Sequence, residues 1–488
     1  DLHGVDRRQR QMCIRDRSGD LGGRRVLFIA YFFPPAISTG VPGSMRTVKF
    51  LRYLHNGECH VLTGPADTRE QDNALAHLSL PVNGEVIHRV APWDIFKKLL
   101  GMRQALKGLA RREPASNNHS ESSAQSTQTS VFKATAEDTD TRSQFQRLKD
   151  FIYDLCYFPD QAGPWIFPAA RAGKKLVRDR NIDVIFATGS PWSGLITGYI
   201  ISKATGKPLI VDFRDPWMDN PFHQSKGPFL DGWAGKLERK VVEHAAAVSL
   251  NTEPLRKAFL ARYPEMNPER FFVMPNGYDL SDFNLEGSPA HPDTERPYVD
   301  LYHAGFLYGV RDPAPLLDAI RLLNQKVTEE GQQEKQFRFI QIGEVQLAYD
   351  IKERYKDLLE SGALKLEPAR PYKECLAELA TADAVVNIQP FTESQVPSKL
   401  YDYLALNKPM ISITPDNGAL SELVRQKELG LCADPSRPDE VASVLRELRQ
   451  QHGSEFTGYA NRREFDVADI AVNLAEKFRT LSSAETQQ

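Results

Sequence analysis

The chain has 488 residues, 41% of them hydrophobic, and it can bury two domain-sized cores, because a single core rarely grows past about 250 residues. Its 61 Lys and Arg and 64 Asp and Glu leave a net charge of -3, which argues against nucleic-acid binding. Five scattered cysteines without metal-ligand spacing, and no apolar run of about 18 residues, argue against a zinc site, a disulfide framework and a membrane-spanning helix. The cysteine usage predicts a cytoplasmic protein, soluble or peripheral to a membrane.

The first 23 residues are basic and rich in turn-forming residues, and their apolar residues follow no helix or strand period. We expect residues 1–23 to be a disordered leader that does not fold with the rest of the chain. Within it, RQRQMCIRDR resembles translated adapter sequence from metagenomic assemblies. This interpretation places the natural start near Arg24, or means that the natural start was lost.

From Arg24 onward, apolar strand-like runs alternate with amphipathic helical runs, which is the pattern of parallel α/β units. The first half is predicted to contain a helix at 44–54, capped by Ser44. Its predicted strands are 24–32, 59–63, 182–189, 207–213, 246–250 and 271–275. Residues 113–145 are rich in Ser, Thr, Gln and Asn, and we expect them to form a disordered insertion in this N-terminal domain, 24–285.

A stretch rich in Gly, Pro, Ser and Asp at 285–297 predicts a linker, after which the alternation resumes in a second domain, 297–465. A helix is predicted at 314–329. The predicted strands of this half are 298–305, 337–343, 363–368, 384–390 and 409–414. Neither half has G-x-G-x-x-G after its first strand, which disfavours a dinucleotide dehydrogenase. The sequence thus predicts two doubly wound, Rossmann-like α/β domains.

The segment VPSKLYDYLALNKPMISIT, residues 396–414, places a lysine and a carboxylate on one face of a short helix. Ser398 is predicted to be its N-cap, and Asn407 to end the helix before the next strand. A cation beside a helix N-terminus suits a phosphate, and an acid on the same face can accept hydrogen bonds from a ribose diol. Lys399 and Asp402 are therefore candidate ligands of a nucleotide sugar, although the same spacing also occurs in helices that only face solvent.

A second candidate for anion binding in this half is HAGFLYGVRDPAPLLDAI, which ends the first predicted strand. Gly305 permits close approach of the backbone to a ligand, and Asp312 and Pro313 open a helix. Arg311 precedes that helix, where its guanidinium would face a diphosphate or, alternatively, only solvent.

Two segments of the first half also follow strands, at the edge where open α/β sheets bind ligands. FPPAISTGVPGSMR has a Gly-rich loop that would bring backbone N–H groups near an anion or a sugar, with Gly40 in the loop and Arg46 just inside the next helix. VDFRDPWMDNPF would bind a polyhydroxylated acceptor or form a structural Arg–Asp pair. Its candidate side chains are Asp212, Arg214, Asp215 and Trp217.

These four segments, in this order and divided two and two, resemble glycosyltransferases of the GT-B fold, in particular the large retaining group of exopolysaccharide, lipopolysaccharide and glycolipid assembly. The resemblance covers residues 24–482 and implies two domains facing each other across a cleft. It also implies that the final helix, 468–481 within 466–488, packs back on the first domain. By the family's pattern, Arg311 and Lys399 contact the donor diphosphate and catalyse its departure.

The resemblance also places Asp402 at the donor ribose and Gly40 beside the donor sugar. Two positions depart from the family's motifs. Phe306 replaces the first basic residue of the G-R-L-x(3)-K-G element, and Ser394 stands where the paired acids E-x(7)-E would begin, with Glu393 one position away. The predicted donor-binding residues are therefore Gly40, Gly305, Ser398, Asp402 and Glu393.

The expected reaction is transfer of a sugar from a nucleotide-sugar donor to a hydroxyl of a glycan or lipid-linked acceptor, in cell-surface polysaccharide or glycolipid biosynthesis. No D-x-D motif follows a predicted strand, so we expect neither a metal nor a cofactor, with fixed positive charge stabilising the leaving diphosphate. A nucleotide-sugar epimerase of the same fold and a non-catalytic nucleotide-sugar-binding partner in an assembly complex are the alternatives.

Two other features bear on location and chemistry. Residues 91–112 interleave apolar and basic side chains, which predicts either a helix resting on anionic lipid at the inner face of the cytoplasmic membrane or a helix half-buried on a core. His303 lies within a buried-strand pattern, and we expect it to be a hydrogen-bonded structural group and not a catalyst.

Overall fold

The computed structural model of the chain describes residues 18–35, 41–66, 78–93, 151–218, 220, 225–283, 296–331, 333–389 and 396–484. They form two α/β halves, each built on one parallel sheet with helices on both faces. The predicted fold class is confirmed. The predicted loop 113–145, and all of the predicted amphipathic stretch beyond Trp93, lie outside the described residues.

The first half contains a seven-stranded parallel sheet in the order β5-β4-β2-β6-β7-β8-β9. The strands of this half are β1 (Gly19–Asp20), β2 (Arg25–Ile29), β3 (Leu54–His55), β4 (Glu58–Thr63), β5 (Val86–Arg89), β6 (Val184–Gly189), β7 (Leu209–Phe213), β8 (Ala247–Leu250) and β9 (Phe271–Val273). The central strands read as continuous apolar runs because both faces of a parallel sheet are covered. The strand order reverses between β2 and β6, so that their carboxyl ends diverge there and leave a crevice.

Helices cover both faces of this sheet. They are α1 (Val41–Arg52), α2 (Ile166–Asp179), α3 (Ser193–Thr205), α4 (Pro228–His244) and α5 (Glu253–Arg262). Helix α1 begins at Val41, three residues before the predicted cap Ser44. The edge strand β5 was not predicted, because its VIHR sequence is only half-buried and lacks an apolar run.

The second half contains a six-stranded parallel sheet in the order β14-β12-β10-β15-β16-β17. The strands of this half are β10 (Tyr298–Ala304), β11 (Leu307–Tyr308), β12 (Gln336–Ile342), β13 (Val345–Gln346), β14 (Leu364–Glu367), β15 (Ala384–Ile388), β16 (Met410–Ile413) and β17 (Leu431–Ala433). Here the strand order reverses between β10 and β15. The crevice of this sheet therefore lies at the carboxyl ends of those two strands.

Helices again cover both faces. They are α6 (Ala314–Glu329), α7 (Ile351–Arg354), α8 (Lys356–Glu360), α9 (Tyr372–Leu379), α10 (Lys399–Leu406), α11 (Ala419–Gln426) and α12 (Pro438–Gln451). Helix α10 ends as predicted at Asn407, which adopts a left-handed backbone with φ of 51°. Among the described residues, no helix is both long and apolar enough to cross a bilayer.

The chain ends in helix α13 (Val467–Ala484), which packs on the first sheet after the whole second half has been traversed. The Phe478 ring lies 5.9 Å from that of Phe28 and 6.0 Å from that of Phe186, measured between centroids. The two chain crossings between the halves are joined by backbone hydrogen bonds, because Tyr278 N donates to Phe465 O at 2.9 Å and Val467 N donates to Tyr278 O at 3.0 Å.

Part of the predicted leader belongs to the fold. Strand β1 pairs in parallel with β3, and Leu21 is fully buried in the core beneath α13. A Cβ added to Gly19 would lie 2.4 Å from the carbonyl oxygen of Ala471, so the two backbones are in direct contact there. The boundary predicted at Arg24 is therefore wrong. Nothing in the sequence indicated this, because residues 18–23 contain a single leucine and show no apolar period.

Replacing Leu21 with Ala tests this correction. We expect the free energy of unfolding to fall by about 2–5 kcal/mol, the range for truncating a buried leucine. Urea unfolding measures the loss, and Leu280→Ala, whose side chain is 43% exposed, should stay within about 0.5 kcal/mol of the parent chain. Equal stability of the two variants would return residues 18–23 to the leader.

Candidate functional site

The predicted donor-binding segments meet at the reversal point of the second sheet. Gly305 follows β10 directly, and α10, which carries Lys399 and Asp402, follows β15. Since β10 and β15 are neighbours with parallel direction, the residues after them lie at the same edge of the sheet. The fold therefore brings together two segments that are about ninety residues apart in the chain.

Gly305 has the backbone geometry that the site requires. Its φ is 114°, a region that L-residues other than glycine rarely adopt. A Cβ added there would lie 2.5 Å from Nζ and 2.7 Å from Cε of Lys399, so the lysine side chain runs directly over the glycine. The Gly305 carbonyl oxygen accepts a hydrogen bond from Nε2 of Gln341 at 2.6 Å. Absence of a side chain at this position is what allows the lysine to cross it.

Lys399 is half-buried, and its amine lies 3.2 Å from Nε2 of His303. Burial and the nearby Arg311 guanidinium lower the pKa of Lys399 to about 7, while Cys375 and Asp402 act in the opposite direction. The amine is therefore poised to gain positive charge when an anion arrives. A diphosphate beside it would supply that anion.

Arg311 lies between β11 and α6, and its guanidinium sits over the ring of Tyr308, 5.3 Å from the centroid. Among the described residues, the ion pairs of the second half leave Arg311 without a carboxylate partner. The next residue, Asp312, opens α6 by accepting from the Ala314 N–H at 2.9 Å and from the Tyr349 hydroxyl at 2.7 Å. Two cations thus converge at one edge of the sheet.

Asp402 lies one turn along α10 from Lys399. Its Oδ1 accepts a hydrogen bond from the Tyr372 hydroxyl at 2.8 Å. Burial raises the pKa of Asp402, whereas Lys49 of the first half and the Tyr372 hydroxyl act to lower it. Lys49, which is itself paired with Asp282 at 3.4 Å, is close enough to act on this carboxylate, so Asp402 lies near the first half.

The other predicted donor residues are placed differently. Ser398 is exposed and occupies the predicted N-cap position immediately before α10, but its backbone is helical and its side chain makes no capping hydrogen bond. Gly40 and Glu393 lie outside the described residues. Their predicted roles at the donor sugar therefore stay predictions.

In the first half, Asp212 is the centre of a buried ion-pair network. It is fully buried, and its two oxygens accept from Nε and Nη2 of Arg46 at 3.2 and 3.1 Å. Thr188 and Ser249 donate to the same carboxylate at 2.8 and 2.9 Å. The remaining Arg46 donors bind backbone oxygens and an amide just after β9. Asp212 and Arg46 therefore join α1 to the sheet, and their predicted contact with an acceptor does not fit this burial.

Trp217 is also buried, with 1% of its surface exposed, and it stacks on Trp192 at 5.6 Å between centroids. Its predicted contact with an acceptor is therefore wrong in this conformation. Arg214 and Asp215 remain half-buried at the end of β7. Burial lowers the pKa of Arg214 and raises that of Asp215, and the Arg214 guanidinium donates to the backbone oxygens of Gly189 and Ser190.

A cavity of about 580 Å³ lies between the two halves. Its walls include Asn251 and Met274 from the first half, Tyr401 and Leu423 from the second, and Ile470 of α13. Neither Lys399 nor Asp402 lines it. The predicted donor site is thus an open edge of the second sheet, separate from this cavity.

Comparison with known proteins bears on the fold and on the chemistry. Residues 128–282 match the family model described as Glycosyltransferase Family 4. A glycosyltransferase from Rickettsia africae is 10% identical, with a TM-score of 0.55 over 94% of this chain and 98% of that chain. Sucrose-phosphate synthase from Thermosynechococcus elongatus is 13% identical, with a TM-score of 0.51 over 94% of this chain and 100% of that chain. The chain therefore has the GT-B fold, and part of its first half matches a glycosyltransferase family.

A lipopolysaccharide outer core galactosyltransferase in its apo form also shares the fold, at 12% identity and a TM-score of 0.50 over 93% of this chain and 99% of that chain. No curated protein sequence matches the chain. Among its described residues, no cluster of three or more metal-ligating side chains is present.

The structure thus brings four of the predicted site residues to one edge of the second sheet, namely Gly305, Arg311, Lys399 and Asp402. His303 was predicted to be a structural group, but its ring contacts the candidate catalytic lysine. Tyr372 was not predicted at all, because a tyrosine in an amphipathic helix gives no sign of its partner. For His303 a signal was available, since it lies on β10 only two residues before Gly305.

Proposed function

We propose that the chain is a glycosyltransferase that moves a sugar from a nucleotide-sugar donor to a hydroxyl of a glycan or lipid-linked acceptor, in cell-surface polysaccharide or glycolipid biosynthesis. The observation that carries the proposal is the convergence of Lys399 and Arg311 beside Gly305, at the reversal point of the second sheet. Two half-buried cations repel each other until an anion lies near both. A diphosphate provides two adjacent charged groups for that purpose.

The difficult step of sugar transfer is departure of the nucleoside diphosphate, because negative charge builds on its terminal phosphate as the bond to the sugar breaks. Fixed cations at the position of that charge stabilise the transition state more than the ground state. Lys399 and Arg311 would supply this stabilisation, and Asp402 would accept hydrogen bonds from the ribose diol. With the positive charge supplied by side chains, the proposed reaction needs no divalent metal ion and no cofactor.

The acceptor would approach from the first half. Lys49 lies near Asp402 across the cleft, and Arg214 and Asp215 remain half-buried at the end of β7. The proposed acceptor class follows from the sequence resemblance to the group of polysaccharide and glycolipid assembly. For a lipid-linked acceptor we propose a cytoplasmic enzyme that contacts the inner face of the membrane through 91–112, where Trp93 is 48% exposed.

A thermal-shift panel of ADP, GDP, UDP and dTDP and their sugars tests the donor assignment. We expect the nucleotides of one base to raise the melting temperature, because a ligand at about a hundred times its Kd stabilises the folded protein by about 2.7 kcal/mol. The matching nucleotide sugar should then release nucleoside diphosphate only when an acceptor is added, with the same rate in EDTA. Release of a free sugar epimer without acceptor would show the epimerase alternative. Binding without turnover on any glycan or lipid acceptor would contradict the transferase.

A further inference from the structure

His303 occupies an unusual place among the residues of the proposed donor site. It lies on β10 with 1% of its surface exposed, and both ring nitrogens have partners. Nδ1 is 2.6 Å from Oε1 of Gln341, and Nε2 is 3.2 Å from the amine of Lys399. Gln341 is fully buried, and its Nε2 donates to the Gly305 carbonyl oxygen at 2.6 Å. These contacts form a continuous chain from the backbone of Gly305 to the amine that crosses it.

The direction of each of these hydrogen bonds follows from the group at one end of the series, the Gly305 carbonyl. The Gln341 nitrogen must face the Gly305 carbonyl, since a carbonyl oxygen can only accept. The Gln341 oxygen therefore faces His303 and accepts the proton carried on Nδ1. Nε2 is then the unprotonated nitrogen of a neutral imidazole, and it can accept a hydrogen bond from Lys399. Burial and the charges of Lys399 and Arg311 hold the pKa of His303 well below its usual value, which agrees with this assignment.

We propose that His303 is a positioning residue for Lys399, fixed by Gln341 and holding the amine over Gly305, and that the lysine takes up a proton when the donor diphosphate binds. The inference rests on the proposed function, because it takes the diphosphate to be the ligand of Lys399. It makes the histidine the hydrogen-bond acceptor of the lysine amine, a position that a carboxylate could also fill. Unlike a carboxylate, a neutral imidazole holds the amine in place without offsetting the positive charge that the lysine carries once the diphosphate is bound.

The groups that face Lys399 set the pH range of the proton uptake. Arg311 carries a permanent positive charge, and the thiol of Cys375, with its pKa raised to about 11 by burial, is uncharged near neutrality. Asp402 is the one acid among the charged groups that the structure describes around the lysine. With its pKa at about 7, the amine of the free enzyme is about nine-tenths neutral at pH 8.

Binding of an anion raises the pKa of this amine, so protons are taken up above pH 7 and not below it. Affinity for the diphosphate should therefore fall as the pH rises above 7, by up to about tenfold per unit, because each binding event must then protonate the lysine. At pH 8 the terminal phosphate of a nucleoside diphosphate is already ionised, since its pKa is about 6. Proton uptake at that pH then belongs to the protein.

Isothermal titration of the full chain with ADP, GDP, UDP and dTDP, at pH 8 in two buffers of different ionisation enthalpy, counts the protons. We expect uptake of nearly one proton by the parent enzyme. His303→Phe should weaken binding about tenfold, the effect of losing one charge-assisted hydrogen bond. His303→Gln should regain most of that affinity, because its amide oxygen reaches about as far as the lost Nε2. The matched control is Tyr403→Phe, which removes the hydroxyl that accepts from the N–H of Ala304, the neighbour of His303 on β10, at 3.2 Å.

Gln341→Glu leaves His303 in place and serves if the histidine variants do not fold. A carboxylate there would draw a second proton onto the ring, turn Nε2 into a donor facing Lys399 and weaken binding at least as much as His303→Phe. Parent-like affinity of Gln341→Glu or His303→Phe, an equal loss in Tyr403→Phe, or no proton uptake by the parent enzyme would overturn the inference. Failure of the parent enzyme to bind any of the four nucleotides would instead overturn the proposed function.

Discussion

Replacing Lys399 with Met is expected to lower kcat/KM for sugar transfer by about ten- to a hundredfold, the cost of one charge-assisted contact worth roughly 1.5–3 kcal/mol. The methionine keeps most of the apolar stem that runs over Gly305, and it removes a half-buried amine beside Arg311, so the free energy of unfolding should change by less than about 1 kcal/mol. Steady-state kinetics with the identified donor and urea unfolding measure the two effects separately.

The control for this variant is Lys352→Met, which removes an exposed lysine of α7 in the same half. It should transfer sugar at the rate of the parent enzyme. Arg311→Met should resemble Lys399→Met, because both cations are proposed to face the diphosphate. If both site variants kept full turnover with a confirmed donor, the position proposed for the diphosphate would be wrong.

Replacing Arg46 with Met is expected to reduce the free energy of unfolding by about 3–5 kcal/mol, the range for removing one partner of a buried ion pair. Asp212 is fully buried, and the loss of Arg46 would leave it, among the residues that the structure describes, with the hydroxyls of Thr188 and Ser249 as its side-chain donors. The exposed pair Arg239–Glu265 provides the comparison, since Arg239→Met should cost no more than about 1 kcal/mol.

Urea unfolding of the two arginine variants gives the difference directly. A loss below about 1 kcal/mol for Arg46→Met would mean that the network does not join α1 to the sheet. The prediction that Asp212 and Arg46 contact the acceptor would then stand.

The fold could be predicted from the sequence wherever burial produces a continuous apolar run. Both ends of strands β6 and β10 lie within two residues of the predicted bounds, and α6 matches its predicted bounds of 314–329. The three-residue β17 was not predicted, because so short a strand gives no period. In residues 18–23 the sequence gives a single leucine, and its burial depends on α13, which joins the first sheet from the far end of the chain.

The site was predictable only as separate segments. The sequence places Lys399 at the start of a helix and Gly305 at the end of a strand, and the rule for parallel sheets brings both to one edge. It does not show that the lysine amine meets His303, since that contact depends on the register of β10 against β12, which places Gln341 opposite the histidine. Nor does it separate Asp212, which is buried in an ion pair, from a carboxylate that faces a ligand.

Helix α13 has a consequence for the order of events during synthesis. The side of the first sheet that carries Phe28 and Phe186 is covered by residues that leave the ribosome after every strand of the second half. Domains generally fold as they emerge, with the N-terminal one first. In this chain the N-terminal half exposes an apolar surface to water until α13 has been made, and such exposed surfaces promote aggregation during folding.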